Sequence, residues 1–328
     1  MSSVSLLSLG GTIFMSQDAA GLGAAPDGSA GASLTPSVID GVAVTHREIT
    51  NVGSPSVRPE HLRDVLRNAR EAVDHGATGV VVSHGTDTLE ESAFLLNLYW
   101  DRDAPLVLTG AMRPSNAPGA DGPANIRDAV RTAVAPSARG LGVLAVFDAS
   151  VHLAEQVTKT SSRSIDAFTS EPSGPVALVG EHDVRLLYRP LERSAARHGE
   201  LPAKLPNVPI LMGGVGEDFT LLDALPAGTL DGLVVAGVGM GHVAADAVPR
   251  LAALVDAGTP VVVATRIPSG GTSDRHYDYP GSEKDLISRG VVMAGALSPQ
   301  KARLLLQVLL ADGAHSDKFQ STFARYAH

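Results

Sequence analysis

The sequence predicts an α/β protein made of two parallel-sheet domains. Three observations carry this. Apolar runs of strand length alternate with segments of helical spacing, the alternation starts again near Val208, and a polar, Pro-rich stretch separates the two blocks. In the first block Val4–Leu9 reads as a strand. Leu62, Val65, Leu66, Ala69, Ala72 and Val73 then recur at helical spacing, with Pro59 near the start and Gly76 past the end. Gly79–Ser83, Leu106–Thr109 and Val143–Phe147 read as further strands. Between them, Leu89–Trp100 reads as a largely apolar helix and Asn125–Val134 as a helix on its Ile126, Ala129, Val130 and Ala133 spacing. The second block offers Pro209–Met212, Gly232–Ala236 and Pro260–Thr265 as strands. Its last helix, Pro299–Leu310, places Ala302, Leu305, Leu306 and Leu309 on one face. The stretch RPLERSAARHGELPAKLPN, Arg189–Asn207, reads as a linker between a domain at 1–188 and one at 208–328.

Composition narrows the function classes. A chain of 328 residues suits two ordinary domains, and 44% hydrophobic content is enough for sizeable cores. The formal net charge of -9 argues against nucleic acid or an acidic membrane surface as the main partner. Cysteine is absent, which removes disulfides, thiolate metal sites and cysteine nucleophiles and fits a reducing compartment. The opening MSSVSLLSLGGTIF has no basic region and runs into a Gly-Gly turn, so it reads as a first strand rather than a signal peptide. No uninterrupted apolar stretch reaches membrane-spanning length. A cytoplasmic protein without a membrane partner is expected.

In an open parallel sheet, ligands sit beyond the carboxyl ends of the strands. Four such ends carry Gly10-Gly11-Thr12, His84-Gly85-Thr86-Asp87-Thr88, Gly110-Ala111-Met112-Arg113 and Asp148-Ala149-Ser150. Glycine lets backbone N–H groups come close to a ligand, and threonine supplies a hydroxyl nucleophile where a base is near. The pattern points to acyl-type chemistry. The base is not fixed by spacing. His84 follows a strand, but a lone histidine is more often structural. Lys159, in Val157-Thr158-Lys159-Thr160, can act as a base when burial lowers its pKa from about 10.4. Local chemistry alone favours Asp87 or Thr88 as a helix cap, with Glu90 and Glu91 placed for the helix dipole. The Gly- and Ala-rich Ser16–Ser37 reads as a surface loop, or as a lid because it follows the first turn.

LSLGGTI (Leu7–Ile13), VVSHGTDTLEES (Val81–Ser92), LTGAMRPS (Leu108–Ser115), ADGPANIRDAV (Ala120–Val130), VTKTSSRSIDAF (Val157–Phe168) and SPQKARLLLQ (Ser298–Gln307) occur in that order. Together they resemble the bacterial-type asparaginase/glutaminase family over nearly the whole chain. The resemblance implies a two-domain asparaginase-like fold. Its N-terminal sheet would be parallel and flavodoxin- or Rossmann-like, and its C-terminal α/β domain smaller. It implies a threonine amidohydrolase that splits asparagine into aspartate and ammonia through an acyl-enzyme. It further implies no cofactor and self-association as a homodimer or homotetramer. Thr12 would be the nucleophile. Thr86, Lys159 and Asp87 would form the proton-handling group, with Asp87 also holding the substrate's α-amino group. Ser54 would bind the α-carboxylate. Gly11, Gly53 and Gly85 would give backbone access, and Ala111 would meet the side-chain amide through its main chain.

Three positions depart from the family pattern. The family's lid carries a tyrosine near the nucleophile, whereas Ser16–Ser37 has none. Tyr277 or Tyr279, in the Gly/Ser-rich loop Ser269–Ser282, is a candidate replacement; an ordinary loop aromatic is the alternative. Pro55 stands where many relatives have an acceptor for the α-amino group, which leaves that contact to Asp87. His242, in GVGMGH, stands where the family often offers an asparagine to a neighbouring site. Other outcomes within the resemblance are a hydrolase of glutamine or of another aspartyl or glutamyl amide or ester, and a catalytically weak amino-acid sensor.

Overall fold

Short Val- and Leu-rich runs, buried on both faces, form the centre of the first sheet. The computed structural model describes residues 2–17, 24–26, 36–191 and 199–326. These divide into two compact units, Met1–Ala203 and Lys204–His328. Most of the lid candidate Ser16–Ser37, and 192–198 of the linker candidate, lie outside the described residues.

In the first unit the strands are β1 (Ser3–Ser8), β2 (Met15–Gln17), β3 (Ala24–Pro26), β4 (Val38–Ile39), β5 (Val42–Glu48), β6 (Gly79–Ser83), β7 (Leu106–Thr109), β8 (Val143–Phe147), β9 (Ser150–Leu153), β10 (Thr158–Lys159), β11 (Phe168–Thr169), β12 (Ala177–Val179) and β13 (Val184–Leu186). The main sheet has nine strands in the order β13-β12-β9-β8-β7-β6-β1-β5-β4. Its centre, β5-β1-β6-β7-β8, is parallel as expected. Its edges are antiparallel, so the whole sheet is mixed.

One edge begins at Asp148-Ala149. These residues do follow the carboxyl end of β8, but they form a tight turn rather than an open loop. They make a two-residue turn with φ of 46° and 58° that pairs Phe147 with Ser150 in a hairpin. Such turns usually carry Asn-Gly or Asp-Gly, and Asp-Ala gives little signal.

Three helices cover the sheet: α1 (Pro59–Asp74), α2 (Leu89–Tyr99) and α3 (Gly122–Val134). α1 buries Leu62, Val65, Leu66 and Ala69, the face its spacing predicts. α2 buries every residue except Glu91, which is why its amphipathic signal is weak. α3 joins Ile126, Ala129 and Val130 to Val4, Leu6, Val81 and Val107 in one core cluster. The alternate strand residues Leu7, Val80, Val82 and Leu108 point to the other face by the two-residue period and are equally buried.

The second unit has a four-stranded parallel sheet in chain order: β14 (Ile210–Met212), β15 (Leu233–Gly237), β16 (Val261–Thr265) and β17 (Val292–Met293). Its helices are α4 (Val248–Asp256), α5 (Glu283–Ser288), α6 (Pro299–Ala311) and α7 (Ser316–Phe323). Ser298 caps α6 by accepting from the Lys301 backbone N–H, and Pro299 takes the first helical position. Among the described residues no helix is long and apolar enough to cross a membrane.

Candidate active site

The chain leaves β1 for β5 on one side and returns to β6 on the other, so strand order reverses at β1. Open α/β sheets bind ligands at such a reversal. Four adjacent strands deliver the candidate residues there. β5 leads to Gly53 and Ser54, β1 to Gly11 and Thr12, β6 to Gly85, Thr86 and Asp87, and β7 to Ala111.

The turns after β1 and β6 touch backbone to backbone. Gly11 has φ of 98°, and a Cβ there would lie 2.5 Å from both Cα and N of Gly85. A Cβ on Gly85 would lie 2.9 Å from Oγ of Ser54. Glycine at 11 and 85 is therefore needed for these segments to meet. At Gly53 packing makes no such demand, since a Cβ would meet only Pro55 Cδ at 3.8 Å. Thr12 and Thr86 each open a short 3-10 turn. Among the described residues their backbone N–H groups find no protein acceptor, as the first positions of a helix leave them. They are available donors for a developing oxyanion.

Lys159 enters from the β10–β11 hairpin. Its Nζ donates to Thr86 Oγ1 at 2.8 Å and to Asp87 Oδ1 at 2.7 Å. Its backbone N–H donates to Glu90 Oε2 at 2.7 Å. The expected caps of α2 are thus engaged elsewhere. Asp87 turns to the lysine, and Thr88 Oγ1 donates to the Ser54 carbonyl at 2.8 Å. Neither makes a capping hydrogen bond. Glu90, read from sequence as a charge for the helix dipole, is buried and holds the lysine's backbone in place.

Ser54 is buried, and its Oγ accepts from the Asp87 N–H at 3.2 Å. That leaves its own O–H to donate to an incoming oxygen. Ala111 is held indirectly. Asp121 accepts from the backbone N–H of Met112 and of Arg113, both at 2.9 Å. Asn125 Nδ2 donates to the Gly110 carbonyl at 3.0 Å. Asp121 and Asn125 therefore fix the turn after β7. Sequence reasoning gave them no role, although both lie in the ADGPANIRDAV stretch.

His84 is not a base for Thr86. Its Nδ1 lies 2.6 Å from the Gly85 carbonyl, which only accepts, so Nδ1 carries the proton. Its Nε2 then accepts from Ser92 Oγ at 2.8 Å. Burial pushes its pKa from 6.5 down to about 4, against an upward pull from the Gly85 carbonyl. Burial does the same to His152, also to about 4. The unfolded chain therefore binds these protons near pH 6.5 and the native chain only near 4. Stability is full above the unfolded value and falls as pH drops through that window, by about 3 kcal/mol for each histidine. His152→Asn is expected to remove about one proton from the pH slope of urea-unfolding free energy. An unchanged slope would refute it.

The second unit gathers the other three candidates. Glu283 Oε2 accepts from His242 Nε2 at 2.9 Å, and His242 Nδ1 accepts from the Tyr279 hydroxyl at 2.7 Å. Tyr277 packs edge-on to His242 with ring centroids 5.3 Å apart. Burial raises the Glu283 carboxyl pKa, but backbone N–H donors, including those of Tyr277 and His276, together with His242 outweigh it and hold the carboxyl below its ordinary range. Among the described residues no group of three or more His, Asp or Glu is placed to hold a metal.

Two threonines and a carboxylate at strand ends, with a lysine brought in from a hairpin, are the groups acyl-transfer chemistry uses. The chain matches the family "Asparaginase, N-terminal" over residues 3–192 and "Glutaminase/Asparaginase C-terminal domain" over 207–323. It is 36% identical to "Probable L-asparaginase" of Deinococcus radiodurans over 92% of each chain. It is 32% identical to "L-asparaginase 2" of Escherichia coli K12, over 98% of this chain and 93% of that one. A crystal structure of a "Probable Cytoplasmic L-asparaginase" from Campylobacter jejuni superposes with a TM-score of 0.84 at 30% identity, over 99% of both chains. The chain belongs to the asparaginase/glutaminase family.

Proposed function

We propose that the chain is an L-asparaginase that hydrolyses L-asparagine to L-aspartate and ammonia. The observation that carries this is the Lys159 ammonium, within hydrogen-bond distance of both Thr86 Oγ1 and Asp87, beside the Gly11–Gly85 contact that leads to Thr12. Thr12 Oγ attacks the amide carbon, and the oxyanion takes the backbone donors of Thr12 and Thr86. The proton of the Thr12 hydroxyl passes to the leaving nitrogen as the C–O bond forms and the C–N bond breaks, so that ammonia departs. Water then attacks the aspartyl ester beside the Thr86–Lys159 pair, the bond from the acyl carbon to Thr12 Oγ breaks, and a proton of the water returns to Thr12 Oγ as aspartate leaves. Ser54 donates to the substrate α-carboxylate and Asp87 faces the α-ammonium. Gly53 leaves open space at that end, and Ala111 presents its main chain to the side-chain amide. No cofactor enters this scheme. The enzyme works in the cytoplasm as a homodimer or homotetramer.

Ammonia release from asparagine, glutamine and their D- and N-substituted forms tests the activity. No release from asparagine would sink it. Glutamine is the second reading. A Pseudomonas fluorescens relative, 33% identical over 86% of this chain, is named "Glutaminase-asparaginase", and one methylene is worth only about 1–3 kcal/mol in a pocket.

Tyr277, Tyr279 and His242 are the candidates for an auxiliary role, and Tyr279 donates to a His242 that Glu283 holds. That arrangement gives a half-exposed phenol a fixed basic partner. Tyr277→Phe/Tyr279→Phe is expected to lower kcat by about 10²-fold or more. Wild-type turnover in that double variant would assign both residues to the loop alone.

A further inference from the structure

The first unit carries a second constellation of charge that the proposed reaction does not use. Arg63, Arg67 and Arg70 recur along α1 at spacings of four and three, so their side chains share one face of the helix. With Arg102 and Glu200 they border a groove of about 380 Å³, whose apolar floor is the buried Leu66 and Leu201. Two of the four guanidiniums are satisfied. Arg70 donates to Asp101 Oδ1 at 3.0 Å and to the Tyr99 carbonyl at 2.6 Å. Arg102 grips both oxygens of Asp74 at 2.9 Å.

The other two guanidiniums have no close carboxylate partner. The carboxylate oxygens near Arg67 lie at 3.5 Å on Asp64 and 3.9 Å on Glu200, beyond good hydrogen-bond distance. Arg63 has no ion-pair partner among the described residues, and its Nε is buried without an acceptor. The groove therefore meets the terminal nitrogens of Arg63, which no described carboxylate neutralises.

We propose that this groove is a second ligand site, in which Arg63 and Arg67 bind one small oxyanion of the carboxylate or phosphate class. The planar guanidinium fork matches both geometries. Glu71, Asp74 and Glu200 also line the groove, so a polyanion is repelled and a single oxyanion head fits. The apolar floor suits the carbon chain of a small dicarboxylate. The site would be read by free amino-acid or dicarboxylate levels, or by phosphate, rather than by the amide substrate's reacting group.

Amide hydrogen exchange on the full chain tests this, with inorganic phosphate, succinate or L-aspartate added and sodium chloride of equal ionic strength as control. Protection is expected along residues 59–75 with at least one of the three. Phosphate alone would assign the phosphate source, and succinate or aspartate alone the carboxylate source. Arg63→Gln is expected to weaken that binding by about tenfold or more while leaving melting temperature and ammonia release unchanged. Arg67→Gln gives the same readout should the first variant misfold. Protection equal in sodium chloride would mean an adventitious ion only. That result, no protection at all, or wild-type protection in both variants overturns the proposal. Exchange reports binding directly, so such a failure leaves the asparaginase reading untouched, and a failed ammonia assay leaves the groove untouched.

Discussion

Thr12→Ala is expected to lower kcat for asparagine hydrolysis by about 10³-fold or more with the fold intact. The substitution removes one hydroxyl and one methyl from a half-buried position. It leaves Gly11 in its φ of 98° and the Gly11–Gly85 contact unchanged. No described residue hydrogen-bonds Thr12 Oγ1, so nothing buried loses a partner and folding stability should hardly move. Thr86→Ala differs in kind, because it takes away the acceptor of Lys159 Nζ at 2.8 Å. Both variants should be slow, and the double variant little slower than either, because residues that act as a unit are not additive. The two are separated by the covalent intermediate. Acid-quenched wild-type enzyme and the Thr86→Ala variant should carry an aspartyl ester on the peptide containing Thr12, detectable by mass spectrometry. Thr12→Ala should carry none. An ester on the Thr86 peptide instead would exchange the roles of the two threonines.

How far the fold could be read depended on burial. Gly79–Ser83, Leu106–Thr109 and Val143–Phe147 begin and end where their apolar runs do, because strands covered on both faces need side chains of one kind. β5 is hard to read because only Val42 and Val44 are buried, while Ala43 and the polar Thr45–Glu48 are exposed. The antiparallel edge escaped notice because its first turn uses Asp-Ala at positive φ. Of the candidate site, glycine-flanked threonines at neighbouring strand ends point to hydroxyl chemistry from sequence, and family resemblance supplied the candidate residues. What local sequence could not reveal was contact across distance. Lys159 and Thr86 lie 73 positions apart, and the carboxylate that seats Lys159 belongs to Glu90, whose position in the first turn of α2 already had an adequate local explanation. Asp121 and Asn125 were hidden for the same reason, since they act on backbone 8 to 15 residues away.

Lys159→Met should separate the proton relay from the scaffold. Methionine fills much of the same volume without the charge. The lysine side chain is 14% exposed and its partner Asp87 63% exposed, so losing the ammonium strands no buried charge. Glu90 still holds the residue by its backbone N–H, which the substitution does not touch. Unfolding free energy in urea should therefore change by less than about 1 kcal/mol. The rate should fall by about 10²–10⁴-fold, the usual worth of positioned proton transfer. Arginine at 159 should not restore it. Its planar fork is too wide to meet Thr86 Oγ1 and Asp87 Oδ1 as the single Nζ does. The informative comparison is kcat beside KM. Loss in kcat with KM nearly unchanged places Lys159 in the chemical step. A rise in KM alone would instead make the lysine a brace for Asp87 at the α-ammonium end of the substrate, and the relay would have to be sought elsewhere.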